Sequence, residues 1–329
     1  MEKTKSKGNF LDRILATFQD YYIVFAIAIL VILFSIASPY FMTFYNIRNI
    51  FLQTCPVAIT GIGAALITMA GGYDMSIGHN LMLSSCVMAW LIKYTGMNTF
   101  LAILIALCIG FIVGGINGYI CSYVGVPSFI ESLAMQLVCF GCSKLITNCT
   151  PITGLSDSLI WIGRGMIGGS EYGIPFCVIL TFLFLALFLF IMRKTKFGRY
   201  VYATGGGREA AYFSGIDVKK ISWICYSIGG LMAAIGGVVL VGRLDSGTIT
   251  NGVSYAFDTT IACTMGGVSM AGGRGNMLQA YLGSLFLTLF FNGMTLLNVN
   301  PYYQDVIKGL TLLAAVIIDV VRVKRSVGK

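Results

Sequence analysis

Residues 99–123 read TFLAILIALCIGFIVGGINGYICSY, and this stretch decides the fold class. It carries no Asp, Glu, Lys or Arg, and it is longer than the roughly 20 apolar residues that an α-helix needs to cross a membrane. The rest of the 329-residue chain is similar in character, since 57% of its residues are hydrophobic and 11% are charged, against roughly 25% charged in soluble domains. We therefore predict an all-α integral membrane protein, and the composition excludes a soluble enzyme, a disordered chain and a secreted disulfide scaffold.

Ten apolar segments have the length or character of membrane spans. They are Tyr22–Ser38, Ile50–Ala70, Met75–Ile92, Thr99–Tyr123, Ser128–Thr147, Ile174–Met192, Ile221–Val241, Phe257–Met270, Met277–Leu297 and Tyr303–Val321. The third and eighth are short or interrupted by glycine and polar residues, so a re-entrant or broken helix is the alternative at both.

The basic residues indicate how the spans are oriented. They cluster before the first span, between the sixth and seventh at residues 193–220, and after the tenth. An even number of spans separates each pair of clusters, so all three lie on one side. Because Lys and Arg favour cytoplasmic loops, we predict about ten transmembrane helices with both termini in the cytoplasm.

The chain therefore divides into a leader, a membrane domain and a tail. Residues 1–20 form a cytoplasmic leader in which Asn9–Asp20 has the spacing of an amphipathic helix at the inner interface, with a frayed polar leader as the alternative. Residues 21–321 form the transmembrane domain, including the cytoplasmic loop 193–220, and residues 322–329 form a cytoplasmic tail. A possible parallel internal repeat is suggested by Thr68, Met69, Gly71 and Asn80, which match Thr264, Met265, Gly267 and Asn276 at one offset.

Enzymatic motifs are missing from this sequence. It contains no phosphate-binding G-x-x-x-x-G-K-[ST] loop, no serine nucleophile elbow and no H-E-x-x-H zinc motif. With a single histidine, a His-based metal site is not expected. We predict a chain that is not an enzyme and binds no cofactor or metal, which leaves transport, conduction, signalling or scaffolding.

The longest predicted cytoplasmic loop contains a short helix-forming run. Residues Glu209, Ala210, Ala211, Tyr212 and Phe213 favour a helix, followed by Ser214 and by Gly215 at the position of a left-handed cap. A helix this short is marginal in water, so a partner surface would stabilise it. On the residues alone, a docking helix with two aromatic anchors and an ordinary basic loop remain equal alternatives.

Several motifs together resemble one family. The run Gly71-Gly72-Tyr73-Asp74-Met75-Ser76-Ile77-Gly78 resembles the G-G-I-D-L-S-V-G signature of permease subunits of bacterial ABC importers for ribose, galactose and related sugars. Further matches, in the same order and spacing, are Val126–Ile130, Thr195–Arg199, Glu209–Ala211, Ser214–Ile216, Met265–Gly275 and Asn292-Gly293. The resemblance covers about residues 45–320, and Tyr73, His79 and Glu131 depart from the family pattern.

The resemblance implies a function and a set of partners. It implies a permease of the bacterial plasma membrane that moves a monosaccharide by alternating access, with autoinducer-2 or a nucleoside as alternative cargo. The implied partners are a cytoplasmic ATPase with two cassettes, which carries the ATP and Mg²⁺, an extracytoplasmic sugar-binding protein, and a second permease subunit, identical or related. Glu209–Gly215 is implied to be the coupling helix that receives the movement of the ATPase.

Polar and aromatic residues inside the spans are candidates for the substrate pathway. They are Asn117, Phe129, Glu131, Asn292 and Gln304. Each has a structural alternative, since amides also join helices and aromatics also pack. For Asp74 we favour N-capping of the third span over substrate contact. An ion-coupled secondary transporter is the less favoured alternative, because it needs a membrane-embedded carboxylate that couples transport to an ion.

Overall fold

The computed structural model describes residues 10–169 and 173–327, with side chains over residues 22–169 and 173–317. The helices in this part of the chain are α1 Phe10–Ala37, α2 Phe44–Met69, α3 Ile77–Thr95, α4 Thr99–Tyr119, α5 Ser128–Thr147, α6 Asp157–Arg164, α7 Phe176–Lys194, α8 Lys196–Gly206, α9 Arg208–Phe213, α10 Val218–Leu244, α11 Tyr255–Gly266, α12 Met277–Leu296 and α13 Pro301–Val327. A π-helical turn, Ile120–Val124, extends α4. The strands are β1 Ile152–Thr153, β2 Met166–Ile167, β3 Ile174–Pro175 and β4 Ser246–Gly247.

Within the described residues, six helices are long and apolar enough to cross a membrane: α2, α4 with its π-helical turn, α5, α7, α10 and α12. The prediction of a helical membrane protein is therefore confirmed. The eighth predicted span is wrong as a full crossing, because α11 ends at Gly266 after 12 residues and is about 18 Å long against a hydrocarbon core of about 30 Å. The chain from 267 to 276 is not helical, so the broken-helix alternative holds there.

The centre of the molecule is built from α2 and α10. In each, 78% of the apolar window is buried, against 22% for α4 and α5, which lie at the periphery. Small residues let the helices approach closely, and Gly110 and Gly114 of α4 face Gly230 of α10. A side chain at Gly114 would overlap the backbone of α10, which explains why an apolar helix carries glycine here.

The two ends of α10 mark opposite faces of the molecule. Beyond its first residue, Val218, lie α8 and α9, whereas β4 follows its last residue, Leu244. β4 pairs antiparallel with β1, so the loops 148–156 and 245–254 meet at that second face. We call the face with α8 and α9 the inner face and the opposite one the outer face.

The predicted amphipathic segment is partly outside the described residues. Asn9 lies outside them, and from Phe10 the backbone is helical and continuous with α1. The backbone of residues 322–327 is helical and continuous with α13, and the cytoplasmic placement of this tail stays a prediction.

Candidate functional site

Helix α9 lies exposed on the inner face. Its six residues, Arg208–Phe213, include one buried side chain, Ala211, which packs the helix onto the rest of the molecule. Tyr212 is 68% exposed and Phe213 is 85% exposed, and their rings meet edge to face. Glu209, Ala210, Ser214 and Gly215 are also exposed. Two aromatic side chains on a charged loop outside the apolar helices form a surface suited to a protein partner, since aromatic residues are typical interface anchors.

The end of α9 has the predicted geometry. Gly215 adopts a φ of +81°, its amide donates to the Tyr212 carbonyl at 2.9 Å, and the Ile216 amide donates to the Ala211 carbonyl at 3.1 Å. A left-handed glycine closing a helix with these two bonds is a common helix stop. The sequence prediction of a short helix closed by Gly215 is confirmed, and the coupling role of these residues stays a prediction.

Three backbone segments approach one another closely at glycine residues, in what we call the glycine junction: Gly71 after α2, Gly205 in α8, and Gly272-Gly273 between α11 and α12. The Gly273 amide donates to the Met69 carbonyl at 2.9 Å. A Cβ at position 205 would overlap the Met69 carbonyl oxygen and lie 2.5 Å from the Gly273 nitrogen. The inner-face segment that contains α8 therefore contacts both helix breaks directly through backbone atoms.

A tyrosine adds a second link between α8 and the break after α11. The Tyr202 hydroxyl donates to the Gly275 carbonyl at 2.8 Å. Burial raises the pKa of Tyr202, so the hydroxyl stays a neutral donor at physiological pH. Helix α8 is thus joined to residues 272–275 by a hydrogen bond as well as by packing.

The break between α2 and α3 carries a buried polar cluster. Asp74 Oδ1 accepts from the Ser76 amide at 2.8 Å and lies 2.6 Å from Ser76 Oγ. The Asn117 carboxamide, oriented so that both its ends are satisfied, donates to Glu131 Oε1 at 3.2 Å and accepts from Ser76 Oγ at 2.7 Å. Cys121 Sγ lies 3.6 Å from Glu131 Oε2. Asn117, Glu131 and Asp74, which the sequence analysis singles out, therefore form one network that joins the break to α4 and α5. We call this network the inner cluster.

Asp74 caps the start of α3 as predicted, although it lies two residues before Ser76, the residue that directly precedes the helix. Its carboxylate accepts from the backbone amides of Ser76 and Ile77, whereas the Ser76 side chain makes no cap. Asp74 and Glu131 are 8% and 5% exposed, so a water-exposed position of Glu131 near the membrane interface is not what the structure has. Both carboxyl groups are buried, where polar groups require hydrogen bonds.

The glycines of the 71–78 motif allow close packing around this break. A Cβ at Gly72 would lie 2.7 Å from the Tyr226 hydroxyl of α10, and one at Gly78 would overlap the Gly252 carbonyl. The Tyr226 hydroxyl donates to the Tyr73 carbonyl at 3.0 Å and accepts from the Tyr73 amide at 3.1 Å. The motif therefore fixes the start of α3 against α10 and the outer loop.

Comparison with known proteins identifies the family to which this chain belongs. Residues 46–316 match the family model described as "Branched-chain amino acid transport system / permease component". The chain is 36% identical over 296 residues to the ribose import permease RbsC of Escherichia coli K12, covering 89% of this chain and 91% of that protein. The chain belongs to this family of ABC transporter permeases. It is accordingly a component of an importer in the inner membrane, and its homologues are transport subunits, not ATPases.

Other relatives extend the same finding. RbsC of Bacillus subtilis is 36% identical over 292 residues (88% of this chain, 89% of that protein). The galactose/methyl galactoside import permease MglC of E. coli K12 is 30% identical over 319 residues (93% and 94%). No solved structure matches the chain.

The other predicted pathway residues of the permease do not lie in one place. Phe129, 52% exposed, lies 6.2 Å from the Tyr73 ring between centroids, near the inner cluster. Asn292 lies at the outer end of α12, where its amide exchanges two hydrogen bonds of 3.0 Å with Asn46. Gln304 lies beside it and donates to Thr295 Oγ1 at 3.4 Å and to the Val299 carbonyl at 3.1 Å. The five predicted residues thus divide into an inner and an outer group.

Sequence reasoning missed two features of the permease. Asn46, Asn49 and Gln53 lie at the outer end of α2, which begins six residues earlier than the predicted second span. Their 3- and 4-residue spacing, which puts them on one helical face, was the available signal. The second feature is an ion pair between Lys308 of α13 and Asp258 of α11, with 3.3 Å between Nζ and Oδ1.

Proposed function

We propose that the chain is the transmembrane subunit of an ATP-driven importer that moves a monosaccharide of the ribose or galactose type across the plasma membrane by alternating access. The proposal includes ten membrane segments, with α11 broken, and both termini in the cytoplasm. It also includes a two-cassette ATPase, an extracytoplasmic sugar-binding protein and a second permease subunit. The named relatives import ribose and galactosides, which supports the substrate class.

The observation that carries the proposal is the exposed helix α9, which follows α8 in the chain directly after Gly205 of the glycine junction. Tyr212 and Phe213 project from the protein on the basic loop, while Gly205, eight residues before Phe213, contacts both helix breaks. An ATPase bound to α9 would therefore be connected to the two helix breaks through the few residues between Phe213 and Gly205. That arrangement supports a chain driven by a separate ATPase, since the sequence has no nucleotide-binding motif of its own.

The orientation is supported by loop contacts. Loops predicted on the cytoplasmic side, 70–76, 193–217 and 267–276, meet at the glycine junction. Two loops predicted on the outer side meet through the pairing of β1 with β4. A different number of crossings between these loops would place contacting segments on opposite sides of the membrane.

Alternative cargo within the same class includes autoinducer-2 and nucleosides, which are also hydroxyl-rich. An ion-coupled secondary transporter is the weaker alternative. Asp74 and Glu131 are both engaged in the inner cluster, and Asp258 is paired with Lys308. Such engaged carboxyl groups favour a structural role over ion coupling.

Proteoliposomes test the proposal. The permease is reconstituted with its ATPase, and labelled ribose and galactose are presented with the binding protein in the absence of any ion gradient. We expect uptake with ATP and none with a non-hydrolysable ATP analogue. ATP-independent uptake, or ATP hydrolysis that the loaded binding protein never stimulates, would contradict the proposal.

Replacement of Glu131 distinguishes an ATP-driven importer from an ion-coupled transporter. Glu131→Gln keeps a carboxamide that can bond Asn117, so we expect ATP-driven uptake to fall by about threefold or less. Because the carboxylate carries no coupling ion, a protonophore should leave uptake by both proteins unchanged while ATP is maintained. Loss of uptake in the variant, together with protonophore-sensitive uptake in the unmodified protein, would favour the ion-coupled alternative.

A further inference from the structure

A polar cavity opens at the outer end of α2 and α12. Its volume is about 430 Å³, within the roughly 300–1,000 Å³ of small-molecule pockets. One wall is the α2 face that carries Asn46, Asn49 and Gln53, and the other is the α12 face that carries Asn292 and Thr295. The remaining lining residues are Tyr40, Thr43, Tyr45, Phe291 and Leu296.

The floor of this outer cavity is fixed. The reciprocal amide pair of Asn46 and Asn292 is buried, and a second Asn46 hydrogen reaches the Phe41 carbonyl at 2.9 Å. On the other wall, Gln304 of α13 donates to Thr295 Oγ1. The cavity is therefore bounded by side chains whose positions are set by hydrogen bonds across helices.

Two carboxamides in the cavity have no intramolecular hydrogen bond. Within the part of the chain that the structure describes, the side chains of Asn49 and Gln53 are half-buried and make no bond to protein atoms. In a membrane helix, an unsatisfied carboxamide facing lipid is costly, so this face is expected to meet water or a polar solute. Each carboxamide offers both donors and an acceptor, which matches hydroxyl groups that both donate and accept.

The charge of the lining limits the ligand class. Among the residues that the structure describes, no Asp, Glu, Lys or Arg lines this cavity. An amino-acid zwitterion would bring an ammonium and a carboxylate into a site with no opposite charge, and burying unpaired charges is unfavourable. A neutral, hydroxyl-rich solute needs no such partner, and the rings of Tyr40, Tyr45 and Phe291 supply apolar surface for its C–H groups.

We propose that the outer cavity is a subsite for a neutral polyhydroxylated solute, such as a pentose or hexose, as it enters the permease from the outer face. Asn49 and Gln53 bind its hydroxyl groups, and the Asn46–Asn292 pair forms the floor of the site. This inference rests on the proposed function as a sugar importer. It adds where the sugar contacts the permease. It also favours sugars as the solute over the amino acids that the family description names.

Isosteric apolar variants test the subsite in the complete importer. Gln53→Met and Asn49→Leu are reconstituted with the ATPase and binding protein, and sugar uptake and ATP hydrolysis are measured together. Losing a hydrogen bond to the solute predicts a fall of up to about tenfold in sugar transported per ATP for each variant. Basal ATP hydrolysis without binding protein reports whether the complex has assembled, so that loss of assembly is distinguished from loss of sugar transfer.

The neighbouring residue of α2 gives a matched control. Thr54 is 1% exposed and bonds back to the Ile50 carbonyl at 2.8 Å, so Thr54→Val changes polarity on the same helix outside the cavity. Uptake by Thr54→Val should equal that of the unmodified protein. A rescue variant, Gln53→Asn, keeps the carboxamide and should recover part of the lost transport.

The outcomes of these experiments distinguish failure of the proposed function from failure of the proposed subsite. If the unmodified importer takes up none of the sugars tested, the proposed function fails. If it takes up sugar and both apolar variants match it, the subsite is refuted while the function stands. If the variants instead prevent two permease copies from assembling, as measured by size-exclusion chromatography, the face is a subunit interface and the subsite is likewise refuted.

Discussion

Gly205→Ala is expected to lower sugar transport per ATP by about tenfold or more. The added methyl group would overlap the Met69 carbonyl and crowd the Gly273 amide, so α8 must move away from both helix breaks. Overpacking of this kind typically costs about 1–3 kcal/mol, enough to detach α8 from the breaks it contacts. The variant is measured in proteoliposomes as the ratio of labelled sugar imported to phosphate released.

The next residue of α8 supplies the control for this prediction. A Cβ at Gly206 would meet no atom within 4 Å, so Gly206→Ala changes helix propensity equally without entering the glycine junction. It should keep the transport ratio of the unmodified protein. If both variants lower uptake and ATP hydrolysis in parallel, the residues act through stability and the junction does not transmit movement.

The double replacement Tyr212→Ala with Phe213→Ala is expected to release the ATPase. These two exposed rings are the aromatic anchors of α9, and anchors of this type contribute about 2 kcal/mol or more each to an interface, or at least about 30-fold in affinity. The rings contribute little to folding, because both are exposed. Co-purification of the ATPase with tagged permease measures the effect.

An aromatic residue on the other face controls for loss of exposed apolar surface. Tyr94 lies in the last turn of α3, at its outer end, and is 64% exposed. Tyr94→Ala should leave ATPase co-purification unchanged. Equal ATPase recovery with the α9 double variant and with Tyr94→Ala would exclude α9 as the main docking element.

Local features of the coupling segment could be predicted from the sequence. The helix at residues 208–213 and the left-handed Gly215 depend on neighbours within six residues, so propensity and capping rules suffice. The resemblance of the same segment to the family loop supplied its role. The contact of Gly205 with Met69 and Gly273 could not be predicted, because it depends on how three distant segments pack.

The polar clusters show where span prediction fails. A hydropathy window begins the second span at Ile50, because Asn46 and Asn49 lower its apolar score, and it therefore assigns both residues to a loop. The structure starts α2 at Phe44, since those amides face a cavity instead of lipid. The cap that Asp74 provides depends on neighbours two and three residues away, so the sequence could predict it, but the link of Ser76 to Asn117 and Glu131 depends on tertiary packing.

The break after α11 has a similar explanation. The apolar run 257–270 looks like a span, but it contains the Gly266-Gly267 pair, and Gly267 adopts a φ of +108° that ends the helix. Residues 267–276 then turn back to the glycine junction. The breaks after α2 and after α11, whose residues match at one fixed offset in the sequence, thus lie beside each other. A parallel repeat of the two halves of the chain stays a prediction.

The central claim is that α9 is the element of the permease that a separate ATPase holds. A photo-reactive phenylalanine analogue at position 213, incorporated into the assembled importer, tests it most directly, with the cross-linked product identified by mass spectrometry. The account predicts a covalent adduct with the cytoplasmic ATPase. An analogue that gives no such adduct, in a protein that still accumulates sugar in cells without the ATPase, would contradict it.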